Sequence, residues 1–333
     1  MSPSRIPRAL LVLATLLSPT LRAAEPLPAL SADTANVTVS GLSSGAFMAV
    51  QFHVAHSKQV HGAGVLAGGP YYCAEGSALR AVSSCMSPGF FTPVPKPGGL
   101  RAEAEKQAAA GKIDSPENLR SSRVWLFSGG KDSVVKTSVV EAAQAFYLQW
   151  LPESSIAFER VPDAGHAMIV PQAESACAVT ASPFINHCAH FDAPGKLLAH
   201  LLGELNPKAQ TASGELFAFD QSAFAEKEAG MAESGWVYIP AACRAGDCRL
   251  HIAFHGCRQN AAALGEVWPR QAGYNEWADT NRLVVLYPQT SNAKDANGCW
   301  DWWGYSSSDY HTQAAPQIKA VWKMLERLGE KRP

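Results

Sequence analysis

The stretch "HIAFHGCRQN", residues 251–260, reads as a buried strand that runs into a polar, glycine-containing corner. Such a corner can turn backbone N–H groups toward a developing oxyanion, and in the usual chain order a serine in a G-x-S-x-G turn comes after it. Here the only G-x-S-x-G, "GLSSG" at 41–45, comes far before it. Either the motif or the expected order has to give way, and the residues around both motifs decide which.

Around the serine, "ANVTVSGLSSGAFMAVQFHVAHS" (35–57) gives a β-branched strand, the glycine turn, and a helix with Phe47, Val50 and Val54 on one face. Small residues at 44, 45 and 46 allow close approach of strand and helix, which fits a nucleophile elbow with Ser43 as nucleophile. A serine hydroxyl needs a base, and the base needs a group that holds its tautomer. Asp132 follows the strand in "RVWLFSGGKD" (123–132), and His166 follows the strand in "SIAFERVPDAGHAM" (155–168). Asp132 also has a structural alternative, as the cap of a helix starting near Val134. Asp163, three residues before His166, suits a turn better than a triad. His53, His56 and His200 fall in helical stretches and read as packed or solvated, while His187 and His190 flank a cysteine in a loop.

The order Ser, Asp, His, with both partners after strands, matches the α/β-hydrolases. Downstream come the strands of "WVYIPAAC" and "CRLHIAFHGC", a helix near 272–280, the strand of "RLVVLYPQT", and a last helix over 313–328. Strands alternating with helices predict a mostly parallel central sheet with helices on both faces. If the second half of the hydrolase topology comes first in the chain, both motifs stand. The fold class is then an α/β-hydrolase fold, circularly permuted, with the last helix where the helix before the elbow strand normally stands. Permutation is tolerated because chain ends of compact domains often lie close together. In this arrangement the backbone N–H groups of Ser44 and Cys257 form the oxyanion hole, and His255 belongs to the substrate-binding corner, bracing its loop rather than acting as base.

The N-terminus, "MSPSRIPRALLVLATLLSPTLRAAEP", has Arg5 and Arg8, an apolar run over 9–17, and Ala23 and Ala24. That order of regions predicts a signal peptide over 1–24 and an exported protein. The eight cysteines suit an oxidising compartment. Their spacing suggests the local pairs Cys73–Cys85, Cys177–Cys188 and Cys243–Cys248, leaving Cys257 and Cys299. No metal-ligand spacing occurs, so neither a metal nor a cofactor is expected. A net charge of −1 gives no reason to expect nucleic acid or a membrane as partner. Only 17% of residues are charged and there are nine tryptophans, which leans toward an apolar or carbohydrate-like partner. Without a linker or repeat, 25–333 reads as a single catalytic domain, with 72–121 and its "PVPKPGG" turn as an excursion within it.

At "GLSSGAFMA", "NLRSSRVWLFSGGKDSVV", "DAGHAM", "FHGCRQN" and "NGCWDWWGY" the sequence resembles the short-chain polyhydroxyalkanoate (poly-3-hydroxybutyrate) depolymerases with a permuted catalytic domain. The likeness runs over nearly the whole chain after the leader. It implies a serine esterase that cleaves 3-hydroxyacyl ester bonds, here of the polyester or its oligomers through an acyl-enzyme; the exported protein is expected to be a monomer. It implies Ser43, Asp132 and His166 as triad, the Cys257 N–H in the oxyanion hole, and a Cys257–Cys299 disulfide. Each motif alone is shared with feruloyl and acetylxylan esterases, which makes a plant-wall carboxylesterase the alternative function. A silent binding protein on the same fold would have no need of all three triad residues. Many secreted members carry a linker and a polymer-binding domain that this sequence lacks, so polymer and soluble oligomers both remain open as substrate. In "GCWDWWGYSSSDY" (298–310), alternation along an extended segment sends Trp302 opposite to Trp303, and it is Trp302 that this phase assigns to substrate binding.

Overall fold

The computed structural model describes residues 24–332, so the expected leader lies, up to residue 23, outside the described residues. Eleven strands are described: β1 (Val37–Leu42), β2 (Val60–Leu66), β3 (Arg123–Gly129), β4 (Ile156–Val161), β5 (Met168–Val170), β6 (Ser175–Ala176), β7 (Ile185–His187), β8 (Glu215–Asp220), β9 (Ser234–Ile239), β10 (Arg249–Phe254) and β11 (Leu283–Tyr287). Eight form one sheet in the order β4-β3-β2-β1-β10-β11-β9-β8, and β5-β7-β6 make a small second sheet. From β4 to β11 all neighbours in the large sheet are parallel, while β9 runs antiparallel to both β11 and β8. The central strands are near-continuous runs of small and aliphatic residues because they are covered on both sides.

β10 lies directly beside β1, with Thr38 opposite His251 and Gly41 opposite Phe254. Since the two strands are parallel, the corner after β10 and the serine turn after β1 emerge at the same end of the sheet. The spatial order is that of an α/β-hydrolase; only the chain order is permuted. Residues near the two described ends also meet: Leu30 N–H donates to Leu328 O (3.1 Å), Ser31 N–H to Glu330 O (2.9 Å), and Arg327 Nε to Leu27 O (2.9 Å).

Around the sheet run α1 (Ser44–Ala55), α2 (Ala78–Ser84), α3 (Pro97–Ala109), α4 (Thr137–Tyr147), α5 (Ala193–Leu202), α6 (Ala261–Leu264), α7 (Val267–Gln271), α8 (Asn275–Thr280) and α9 (Pro316–Gly329). The helix expected near Val134 starts at Thr137, and the last one starts at Pro316, a residue whose fixed φ suits a first helical turn. The expected single apolar face of α1 needs correcting, because every residue of that helix is buried. Its polar side chains are satisfied inside. Gln51 Nε2 donates to the carbonyls of Asp301 (3.0 Å) and Tyr310 (3.2 Å), and the two ring nitrogens of His53 bond Tyr147 OH (2.9 Å) and Ser122 Oγ (3.0 Å). The excursion over 72–121 carries α2 and α3, is pinned by Cys73–Cys85, and brings Ala78, Ala81 and Val82 over the cleft beside Ser43. Among the described residues no helix is long and apolar enough to cross a membrane.

Candidate active site

Ser43 sits between β1 and α1 with φ 57° and ψ −122°, a conformation that L-residues rarely adopt and that costs about 1–3 kcal/mol. Its neighbours explain how the turn can be so tight. A Cβ on Gly41 would come within 2.2 Å of Gly45 O, and one on Gly45 within 2.3 Å of His255 O. The two glycines of "GLSSG" are therefore required by contact, and the second brings the elbow against the β10 corner. Ser43 lines a cleft of about 490 Å³ together with His166, Cys257, Cys299, Trp302 and Trp303.

His166 and Asp132 are both nearly buried, and His166 Nδ1 lies 2.7 Å from Asp132 Oδ2. The other carboxylate oxygen, Oδ1, accepts the N–H groups of Val134 (2.7 Å) and Val135 (2.9 Å). Asp132 thus closes a turn with one oxygen and meets the histidine with the other, so its two readings do not compete. The loop carrying His166 is held from behind. Its N–H donates to Thr180 Oγ1 (3.0 Å), Gly165 N–H donates to Cys177 O (2.8 Å), and the Cys177–Cys188 disulfide closes the segment. Asp163 is exposed, and His187, also exposed, has Nδ1 2.6 Å from Pro171 O.

At the corner, Cys257 is disulfide-bonded to Cys299, and both line the cleft. The remaining cysteines pair as Cys73–Cys85, Cys177–Cys188 and Cys243–Cys248. Ser44 opens α1, so its N–H belongs to the first turn, where amides lack intrahelical acceptors. The corner is also locked by a residue that sequence reasoning passed over. Gln259 Oε1 accepts Gly256 N–H (2.7 Å), and its Nε2 donates to Pro183 O (2.8 Å), joining the corner to the loop behind His166.

His255 was expected at the substrate-binding corner, and this is corrected: it is fully buried and does not line the cleft. Its Nδ1–H donates to Gly256 O (2.8 Å), and Nε2 accepts Thr290 N–H (3.2 Å). Burial pushes its pKa down to about 4, so it is a neutral brace behind the corner. A second serine–histidine contact lies deeper, with Ser40 Oγ 2.8 Å from His251 Nε2 and 2.7 Å from Tyr274 OH. All three are buried and none lines the cleft, so this group ties β1 to β10 inside the core.

Trp302, assigned to substrate binding, does line the cleft, but Trp303 lines it too, so alternation does not separate the two rings. Trp302 is 4% exposed and stacks on Phe47 with ring centroids 4.0 Å apart, while Trp303 is the more open of the two, and both line the cleft. Alternation failed because the segment is not extended. It wraps around the buried Asp301 carboxylate, whose oxygens accept the N–H groups of Gly304 (2.7 Å), Tyr305 (3.0 Å) and Ser306 (2.9 Å). Among the described residues no group of three or more His, Cys, Asp or Glu could hold a metal ion.

A permuted hydrolase sheet, a serine on a strained elbow, and a buried His–Asp pair beside the same cleft define the class: a protein of the α/β-hydrolase type. Residues 234–330 match the family model described as esterase PHB depolymerase. Over 315 residues the chain is 44% identical to a poly(3-hydroxybutyrate) depolymerase of Delftia acidovorans, covering 93% of this chain and 63% of the relative's length. Over 325 residues it is 32% identical to a polyhydroxybutyrate depolymerase of Talaromyces funiculosus, covering 92% and 93%. Two solved structures superpose over 92% of this chain and all of theirs. One is a PHB depolymerase complexed with an R3HB trimer (TM-score 0.84, 29% identity), and the other is the PHB depolymerase from Penicillium funiculosum (0.83, 30%). The chain belongs to the PHB depolymerase family of esterases.

Proposed function

We propose that the protein is an exported serine esterase, with 25–333 as one catalytic domain, that hydrolyses poly-3-hydroxybutyrate or related short-chain polyhydroxyalkanoate and its oligomers. The observation that carries this is the His166–Asp132 contact of 2.7 Å opening on the cleft that Ser43 lines. In the proposed cycle Ser43 Oγ attacks the ester carbonyl while His166 takes its proton, and Asp132 holds the imidazole with Nε2 free to accept. The N–H groups of Cys257 and Ser44 stabilise the tetrahedral oxyanion. His166 then protonates the leaving alkoxide, and water, deprotonated by the same histidine, releases the acyl group from Ser43.

An insoluble polymer as substrate is supported by the surface beside the cleft. Phe90 and Phe91 are 92% and 91% exposed, Leu79 is exposed on α2, and Val82 is both exposed and a cleft residue. Leu79 and Phe91 line a neighbouring groove and Leu79 stands one helical turn from Val82, so these apolar side chains lead outward from the cleft and suit an apolar solid surface. Export is supported by the four disulfides and by the leader-like N-terminus. The test is clearing of a poly-3-hydroxybutyrate suspension beside hydrolysis of a p-nitrophenyl butyrate and release of ferulate from a feruloyl ester. Clearing by the wild type and its loss in Ser43→Ala are expected; ferulate release without clearing would overturn the substrate assignment.

A further inference from the structure

Among the residues lining the cleft there is one arginine or lysine, Arg258, and one aspartate or glutamate, Asp295. Asp295 is already engaged, since its Oδ2 accepts the N–H groups of Asn297 (3.1 Å) and Cys299 (2.9 Å) and closes the turn before the disulfide. Arg258 is exposed, and its backbone lies in the left-handed region with φ 60°. Its N–H donates to Asn297 O (2.7 Å) and its Nε to Asn297 Oδ1 (3.1 Å). These two bonds anchor the near side of the guanidinium. The side chain forms no ion pair with a carboxylate among the described residues, which leaves its two terminal nitrogens available.

A cation anchored this way, in a cleft otherwise walled largely by Leu42, Phe47, Val134, Val135 and Met86, faces a particular need. Hydrolysis of an internal ester breaks the acyl C–O bond and adds water across it, so one fragment gains a hydroxyl and the other a carboxylate. Acid-ended chains therefore accumulate as the polymer is shortened. A carboxylate brought into an apolar cleft loses hydration and needs a charged donor in return. We propose that Arg258 binds the terminal carboxylate of short hydroxyacyl oligomers and makes the site prefer acid-ended chains over capped ones. The inference rests on the reading of this cleft as a polyester-hydrolysing site.

The experiment compares kcat/KM for a 3-hydroxybutyrate trimer as free acid and as methyl ester, using wild type, Arg258→Gln and Arg258→Lys at low and high salt. The wild type should favour the acid on the order of fivefold, as expected for a partly exposed charge pair, and salt should erode the preference. Arg258→Gln should lose the preference, and Arg258→Lys should keep part of it because the charge remains. A wild type without preference, or equal losses on both trimers in Arg258→Gln, would overturn the inference and leave Arg258 as a brace for the Asn297 turn. Hydrolysis of neither trimer by the wild type would overturn the esterase reading itself, and this inference with it.

Discussion

Replacing Asp132 separates two jobs that the structure gives to its two oxygens. In Asp132→Asn the amide oxygen can still accept the N–H groups of Val134 and Val135, which Oδ1 meets at 2.7 and 2.9 Å. The NH₂ group then faces His166 Nδ1, where the carboxylate stood at 2.7 Å. Two donors cannot bond each other, so the imidazole gives up its Nδ1 proton and carries it on Nε2, the nitrogen that in the proposed cycle accepts from Ser43. The same exchange of an orienting aspartate for asparagine lowers kcat about 10⁴-fold in other serine triads, or about 5 kcal/mol of transition-state stabilisation. The melting temperature should change little. Asp132→Ala removes the acceptor from both amides as well, at a cost of about 1–3 kcal/mol, or a fall of about 2–10 °C in melting temperature. Kinetics on p-nitrophenyl butyrate together with thermal melts of both variants measure the two effects. Near-full activity in Asp132→Asn would refute the triad assignment; equal melting temperatures in the two variants would refute the division of labour between the oxygens.

Trp302→Ala should cost about 3–5 kcal/mol of stability through the ring stacked on Phe47, and lower activity on polymer and small ester alike; Trp303→Ala should keep more stability and lose trimer and polymer hydrolysis preferentially. Melts and paired assays tell them apart, and the reverse ranking would show that the wrong ring is assigned to the substrate. Removing the Cys257–Cys299 bridge, whose ends are 42 residues apart, should cost about 4 kcal/mol in the chain-entropy model and loosen the corner, as read from denaturant melts of the double serine variant. Acid sensitivity follows from five buried histidines. Burial pushes His53, His56 and His251 down to about 3, and His255 and His311 to about 4. As pH falls, the unfolded chain binds protons first, near its value of about 6.5, so stability is intact above that pH and declines below it until the folded values are reached. Each histidine contributes a slope of up to about 1.4 kcal/mol per pH unit, and urea unfolding at pH 7, 6 and 5 should show the loss. A flat profile over that window would mean that these imidazoles are not held neutral.

Much of this molecule is legible in one dimension because its key residues sit at fixed offsets from strands. Ser43, Asp132 and His166 follow β1, β3 and β4, and a strand is recognisable from a short run of β-branched and aliphatic residues whatever packs on it. The permutation is equally a matter of order along the chain, and three of the cysteine pairs are local. What needed three dimensions was everything that depends on a neighbour far off in sequence. The burial of α1 on all sides comes from the Asp301–Tyr310 segment and the β3 side closing over its polar residues, which find carbonyl and hydroxyl partners there. His255 turned from cleft to core, where the N–H of Thr290, from another part of the chain, donates to its neutral Nε2. Trp302 and Trp303 escaped the period-two argument because a single buried carboxylate, Asp301, gathers the following amides and curls the segment. Periodicity assigns faces only while the backbone stays regular, and here a side chain decides where it bends.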